Sequence, residues 1–387
     1  MSQFDKIIDR KNTFSEKWDK YKGKDIIPMW VADSDFEVAP EIVEALQQRV
    51  VHGVFGYSEQ PTTGVQNAIQ YHLKSQHGWE IDKNWIVPLP SLVSGLSLSC
   101  LMTDAKGDEV VEIVTPQTIY PPFKYVIDNN KRQRIEVPVR LETSSDSERW
   151  VLDLDAFEKA ITPQTKLLLF CNPHNPAGTV YTKEELEQVH DICKRHDLLI
   201  CSDEIHCDLV LDENKKHIPL AMLNDDAKNR SITLMAASKT FNVPGLGFGF
   251  AIIPSDTLRD KFKVLVRQRM PDINILAQTA TEAAFKQGES WRLEQIEYLR
   301  GNRDYLMQEI NAIEGLKMYP LEATFLAWID VSGLGLDDPE TFFEEAGVGI
   351  SAGKYFGDDN CIRLNFACRR SLLEEAVGRI KKVLEAL

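Results

Sequence analysis

From about residue 85 to 255 the chain alternates short apolar runs with amphipathic segments, and this alternation constrains the fold more than any other feature. Leu167-Leu168-Leu169-Phe170-Cys171 reads as a buried strand, followed by a loop rich in Asn, Pro and Gly. Thr182, with Glu185 three residues on, has the capping-box pattern that opens a helix. Leu198-Leu199-Ile200-Cys201-Ser202 is the next strand, and Ser231 to Met235 another. Strand, loop, helix and strand in succession specify an α/β fold with a mostly parallel sheet, because parallel neighbours need a crossover connection. In such sheets ligands gather at the carboxyl ends of the strands. Asn175, Asp203 and Lys239 each follow a strand-like run closely, so all three are expected at one site.

The chemistry of these residues sharpens that expectation. Lys239 lies in Ala236-Ala237-Ser238-Lys239-Thr240, and an amine walled by small residues at a strand end can lose its proton and act as a nucleophile. Most lysines are solvated surface charges, so the reading depends on the company this one keeps. Asn175 offers an amide donor, Asp203 a carboxylate and Arg363, in Cys361-Ile362-Arg363-Leu364, a guanidinium fork. Pyridoxal phosphate (PLP) needs such a set. The amine bonds the aldehyde, and the carboxylate keeps the ring nitrogen protonated so that the ring draws electrons from the substrate α-carbon. The amide reaches the ring's phenolic oxygen, and the fork matches a substrate carboxylate bidentately.

A chain of 387 residues is long enough for two domains. With 44 basic and 59 acidic residues its net charge is −15, and no basic run appears, which argues against nucleic acid as a partner. The cysteines number seven, with no C-x-x-C pair, and several lie in apolar runs. A reducing compartment, the cytoplasm, is expected. Cys201, Cys207 and His206 are read as core residues and not as metal ligands, so no metal is expected. Neither a membrane span nor an apolar leader is apparent. Beyond residue 256 the texture changes to long helical patterns, a strand at 324–329, another at 361–367, and a helix opened by Ser371 with Glu374 three on. This describes a smaller α+β domain.

Residues spread from about 28 to 370 carry a resemblance. Pro28-Met29-Trp30-Val31-Ala32-Asp33, Phe55-Gly56-Tyr57, Tyr120-Pro121-Pro122-Phe123, Asn172-Pro173-His174-Asn175-Pro176, Asp203-Glu204-Ile205-His206, Ser238-Lys239-Thr240-Phe241-Asn242 and Arg363-Leu364-Asn365 are its motifs. The chain resembles the class I/II aminotransferase-type PLP enzymes of fold type I, and within them the cystathionine β-lyase-like carbon–sulfur lyases. The resemblance implies a large PLP-binding domain over 48–285, its mostly parallel sheet flanked by helices. It also implies a discontinuous small domain from 1–47 and 286–387. Lys239 would be the catalytic lysine. Asp203, Asn175, His206, Ser238, Val93, Ser94 and a ring-stacking Tyr120 would surround the cofactor. Val93 and Ser94 open the helical stretch after Pro88-Leu89-Pro90, where free N–H groups suit a phosphate. Arg363, Trp30 and Asp33 would meet the substrate. Tyr57 would reach the phosphate of a neighbouring subunit, which implies a homodimer.

Some positions depart from the family pattern. His206 stands where many aminotransferases have tyrosine, and Ala236 and Gly247 where they have serine and arginine. Ser34 stands where the lyase branch commonly has methionine. These differences count against an aspartate-type transaminase. The expected reaction is β-elimination from cystathionine or a related S-substituted L-cysteine, giving a thiol, pyruvate and ammonia. The alternative is transamination of an L-amino acid, which shares its first steps. A regulatory binding protein is a third class, and no amphipathic tail or exposed apolar run marks a partner surface for it.

Overall fold

In the computed structural model, residues 2–103, 109–143 and 148–385 are described. Seven strands form the main sheet, in the spatial order Ile86–Leu89, Gly249–Ile252, Ser231–Met235, Leu199–Asp203, Thr165–Cys171, Glu112–Pro116 and Gln133–Val137. Gly249–Ile252 runs antiparallel to both neighbours, and every other pairing is parallel. The expected α/β sheet is therefore present, mixed by one strand.

Helices cover both faces of this sheet, and alternation within a strand shows why its apolar run is unbroken. Leu167, Leu169 and Cys171 join a core with Phe123 and Phe262 on one face. Leu168 and Phe170 join Leu186, Val189 and Ile192 on the other. The Lys183–Arg195 helix starts as expected, with Thr182 Oγ1 accepting the Glu185 N–H at 3.3 Å and Glu185 Oε2 accepting the Thr182 N–H at 2.7 Å.

A second sheet has the order Lys317–Met318, Leu326–Asp330, Cys361–Asn365 and Ser351–Ala352, all antiparallel. Ile27–Pro28 pairs in parallel with Val348–Gly349, which ties the N-terminal segment to the C-terminal one. The boundary expected at residues 47/48 falls inside one helix, Pro40–His52.

Three local expectations shift. The last helix spans Arg370–Leu384, and Ser371 does not cap it. Its Arg370 N–H is instead satisfied by the Tyr298 phenol oxygen at 2.7 Å, a tertiary contact that replaces the local cap. The 324–329 strand begins two residues late, because Thr324 has φ +74° and its Oγ1 accepts the Leu326 N–H. An exposed apolar run also exists where none was read, with Val50, Val51, Val54, Phe55 and Tyr57 in solvent. No helix among the described residues is long and apolar enough to cross a membrane. All seven cysteines are buried thiols.

Candidate active site

Sheet register brings the reactive residues together. Cys171 pairs with Asp203, and Asp203 with Leu234, so three adjacent parallel strands end at one level. The Asn175 loop, Asp203 itself and the Lys239 loop therefore emerge side by side. They open into a cleft of about 610 Å³ whose wall includes Trp30, Val93, Tyr120, Asn175, Asp203, His206, Ser238, Lys239 and Arg363. Nine of the residues expected at the site thus share one cleft. Asp33, Ser94 and Tyr57 do not line it.

Lys239 donates from Nζ to the Ala32 carbonyl at 2.6 Å. Burial pushes its pKa down to about 8, Arg363 adds to that shift, and Asp33 and Asp203 oppose it. Asp203 is buried and accepts a hydrogen bond from the Ile205 N–H at 3.1 Å. Burial raises its pKa to about 7, a state that a cation set against the carboxylate would reverse. His206 packs edge-on to Phe325, and burial followed by the Lys239 and Arg363 charges lowers its pKa to about 3, so it is neutral.

Arg363 projects from the second sheet into the same cleft. Its Nη1 donates to Asn175 Oδ1 at 3.1 Å and its Nη2 to the Trp30 carbonyl at 3.0 Å, while Nε is buried without a partner. Its guanidinium lies 4.5 Å from the centre of the Phe356 ring. Burial lowers its pKa to about 10, which leaves it charged at neutral pH.

Two asparagines hold the loop between Trp30 and Phe36 against this centre. Asn242, at φ +55°, accepts the Ser34 N–H and donates to the Ser34 and Phe36 carbonyls. Asn365 donates to the Val31 and Asp33 carbonyls at 2.6 and 2.7 Å. Both residues end motifs quoted from the sequence, so their presence was legible, whereas their clamp on this loop was not. Asp33 belongs to this loop but faces away from the cleft, with Oδ2 bound by Arg10 at 2.7 Å and Oδ1 3.9 Å from Lys17 Nζ, without a hydrogen bond. It acts on Lys239 through charge and not through the cleft wall.

The Leu92–Leu101 helix points its N-terminus at the cleft. Ser91 caps it by accepting the Ser94 N–H at 3.1 Å, and the two hydroxyls are 2.9 Å apart. The Ser94 amide is thus already engaged, and the Leu92 and Val93 amides of the first turn remain for an anion. Tyr57 is fully exposed, in a separate hollow with Phe55, Gly56 and Ile275.

This donor set fits PLP. It offers a lysine poised to lose its proton, a buried carboxylate with few partners for a ring nitrogen, a helix start for phosphate, and Tyr120 as an aromatic wall. Further wall residues that sequence reasoning missed are Glu16, Lys20, Glu340, Ser351, Tyr355 and Phe356. Charged residues on short helices read as solvated faces, and no local pattern distinguishes them.

The match to the family model for class I and II aminotransferases spans residues 24–380, and the chain belongs to that family. The chain is 35% identical to cystathionine β-lyase PatB of Bacillus subtilis (strain 168), over 98% of this chain and 99% of that protein. A crystal structure of OvoB superposes with a TM-score of 0.94 at 46% identity, covering 99% of both chains. The PLP-bound C–S lyase from Staphylococcus hominis superposes with a TM-score of 0.89 at 31% identity, covering 99% of each.

Proposed function

We propose that this protein is a PLP-dependent carbon–sulfur β-lyase that cleaves cystathionine or a related S-substituted L-cysteine to a thiol, pyruvate and ammonia. The observation that carries the reading is one cleft holding a depressed lysine, a buried strand-end carboxylate and an arginine fork, in a chain similar to a cystathionine β-lyase over its whole length.

Lys239 would bond the cofactor and Asp203 would pair with its ring nitrogen, while Tyr120, Asn175, His206 and Ser238 would hold it in the cleft. The Val93 amide, in the first turn of the Leu92–Leu101 helix, would hold the phosphate. Bound PLP supplies an electron sink conjugated to the substrate α-carbon. Arg363 takes the substrate carboxylate, its unpartnered Nε marking spare capacity for a fork contact. Trp30 and Phe356 fix that arginine. Lys239 Nζ would also be the base that takes the substrate α-proton, which its lowered pKa allows near neutrality. The β-thiolate then leaves, and water converts the remaining unsaturated amine to pyruvate and ammonia.

The exposed Val50–Tyr57 run supports a homodimer in which Tyr57 of one subunit reaches the phosphate of the other. Seven unpaired thiols support a cytoplasmic setting. The division into a large domain at 48–285 and a small one from 1–47 and 286–387 is the companion proposal, supported by the two separate sheets. The reading is tested with PLP-loaded protein and L-cystathionine, assayed for pyruvate without added keto acid. Accumulating pyruvate is expected, and none would refute it. Transamination, the alternative that the family's description names, would show itself as conversion of the cofactor to its amine form by an amino acid lacking a β-leaving group.

A further inference from the structure

Outside the cofactor cleft, a second cluster of titratable groups takes no part in the chemistry above. Asp208 lies on the segment that follows Asp203, and its two carboxylate oxygens face two different imidazoles. Oδ2 is 2.8 Å from His72 Nε2, and Oδ1 is 3.1 Å from His77 Nε2. All three side chains are buried. The Thr63–His77 helix carries both histidines, the second as its last residue, and Gly78 at φ +67° turns the chain away beyond it. His72 is held flat against Phe285, with ring centres 4.1 Å apart. One donor atom from each of the three residues lies within 4.8 Å of the other two.

Hydrogen bonding alone would satisfy this trio, but the histidine beside it is not satisfied. His217 stands edge-on to His77, with ring centres 5.3 Å apart. Its Nε2 pairs with Glu204 Oε2 at 2.8 Å, and Glu204 Oε1 is fixed in turn by the Ser202 hydroxyl and the Leu220 N–H. A carboxylate accepting from Nε2 leaves Nδ1 of the neutral imidazole as a bare lone pair. That Nδ1 is buried and has no hydrogen-bond partner among the described residues. Metal-ligating histidines are held in this way, one ring nitrogen donating to a carboxylate and the other left open. A cavity of about 540 Å³ touches His77, Asp208 and His217 together and supplies a route in. Lys215 and Lys216 line the same cavity and disfavour a loosely held cation, so only direct coordination would fix one there.

We propose that His72, His77 and Asp208, with His217 Nδ1 as fourth donor, form a binding site for a divalent transition-metal ion of the zinc type. Imidazoles with one carboxylate suit zinc, cobalt or nickel, whereas magnesium and calcium take all-oxygen shells. Tetrahedral zinc sets its nitrogen and oxygen donors about 3.4 Å apart. The 2.8 and 3.1 Å pairs need to open by only a few tenths of an ångström to reach that spacing. The ion would tie the end of the Thr63–His77 helix to the segment leading from Asp203, a structural role separate from the reaction. The expectation of no metal rested on local spacing, and here the histidines lie 136 and 131 residues from Asp208.

The test takes PLP-loaded protein, clears it with a chelator and returns zinc ion alone. After gel filtration one zinc per subunit is expected. At a hundredfold excess over Kd the melting temperature is expected to rise by about 3–5 °C. Magnesium ion at the same concentration is expected to do neither. His72→Gln and His77→Gln are each expected to weaken zinc binding by about 100-fold or more, and His217→Gln by about 10- to 100-fold, with circular dichroism and cofactor absorbance unchanged. No zinc on the wild-type protein overturns the site, and that measurement needs no variant to fold. Uptake that persists in folded His72→Gln and His77→Gln is adventitious and overturns it too, and equal uptake of magnesium overturns the zinc-type assignment. Metal content is read without substrate, so failure here leaves the lyase reading standing, and absence of pyruvate leaves this site standing.

Discussion

The lowered pKa of Lys239 can be tested on the apoprotein without any substrate. The nucleophile towards the cofactor aldehyde is the neutral amine, so the rate of cofactor capture follows the neutral fraction. With a pKa of about 8, about one molecule in eleven is neutral at pH 7, whereas the ordinary 10.5 would leave about one in 3,000. Burial therefore raises the reactive fraction about 300-fold at that pH. In stopped-flow mixing of apoprotein with PLP, followed by visible absorbance, the capture rate is expected to rise about tenfold from pH 6 to pH 7 and to level off above pH 8. Arg363 is the second cause of the shift, so Arg363→Gln is expected to move the break to higher pH and slow capture at neutrality. A rate that keeps climbing to pH 10 would refute the argument, since it would mean an ordinary solvated lysine. A break that does not move in Arg363→Gln would leave burial as the sole cause.

Other residues give sharper single tests. Asp203→Asn keeps the shape but removes the charge, so cofactor should still load while pyruvate formation falls on the order of 100-fold or more; unchanged turnover would remove Asp203 from the mechanism. Arg363→Lys replaces a fork by a point charge and should raise KM for L-cystathionine by roughly 10- to 100-fold with a smaller effect on kcat, and an unchanged KM would place the substrate carboxylate elsewhere. Gly178 has φ +71°, and a methyl there would meet Leu321 and lie 2.7 Å from the Ala323 carbonyl, so Gly178→Ala should cost roughly 2–4 kcal/mol in urea unfolding. A cost below about 0.5 kcal/mol would show that the loop can move aside. Tyr57→Ala should leave the subunit folded by circular dichroism yet lower PLP retention on dialysis if Tyr57 serves a partner's phosphate, and unchanged retention would deny it that role.

What could be read from the chain before its structure divides along a physical line. Asn175, Asp203 and Lys239 were legible because each sits at or just beyond the end of a buried strand, and parallel register places such ends together regardless of the helices between them. The capping box at Thr182 was legible for the same reason, since both partners lie within one turn. Ser371 misled because the same local pattern was present while a phenol from residue 298 had already satisfied the backbone. At Ser94 the cap that makes the helix start recognisable also engages the backbone amide, which leaves the hydroxyl as its free donor. The outer wall was illegible throughout. Glu16, Lys20, Glu340 and Tyr355 meet only because Ile27–Pro28 pairs with Val348–Gly349, a contact across more than 300 residues with no sequence pattern of its own. That division matters for the reaction itself. The residues that were legible are those shared by elimination and transamination, because both begin with Lys239 Nζ and the α-proton. The outcome depends on whether the β-substituent departs before the proton returns, and the shared residues do not decide between the two.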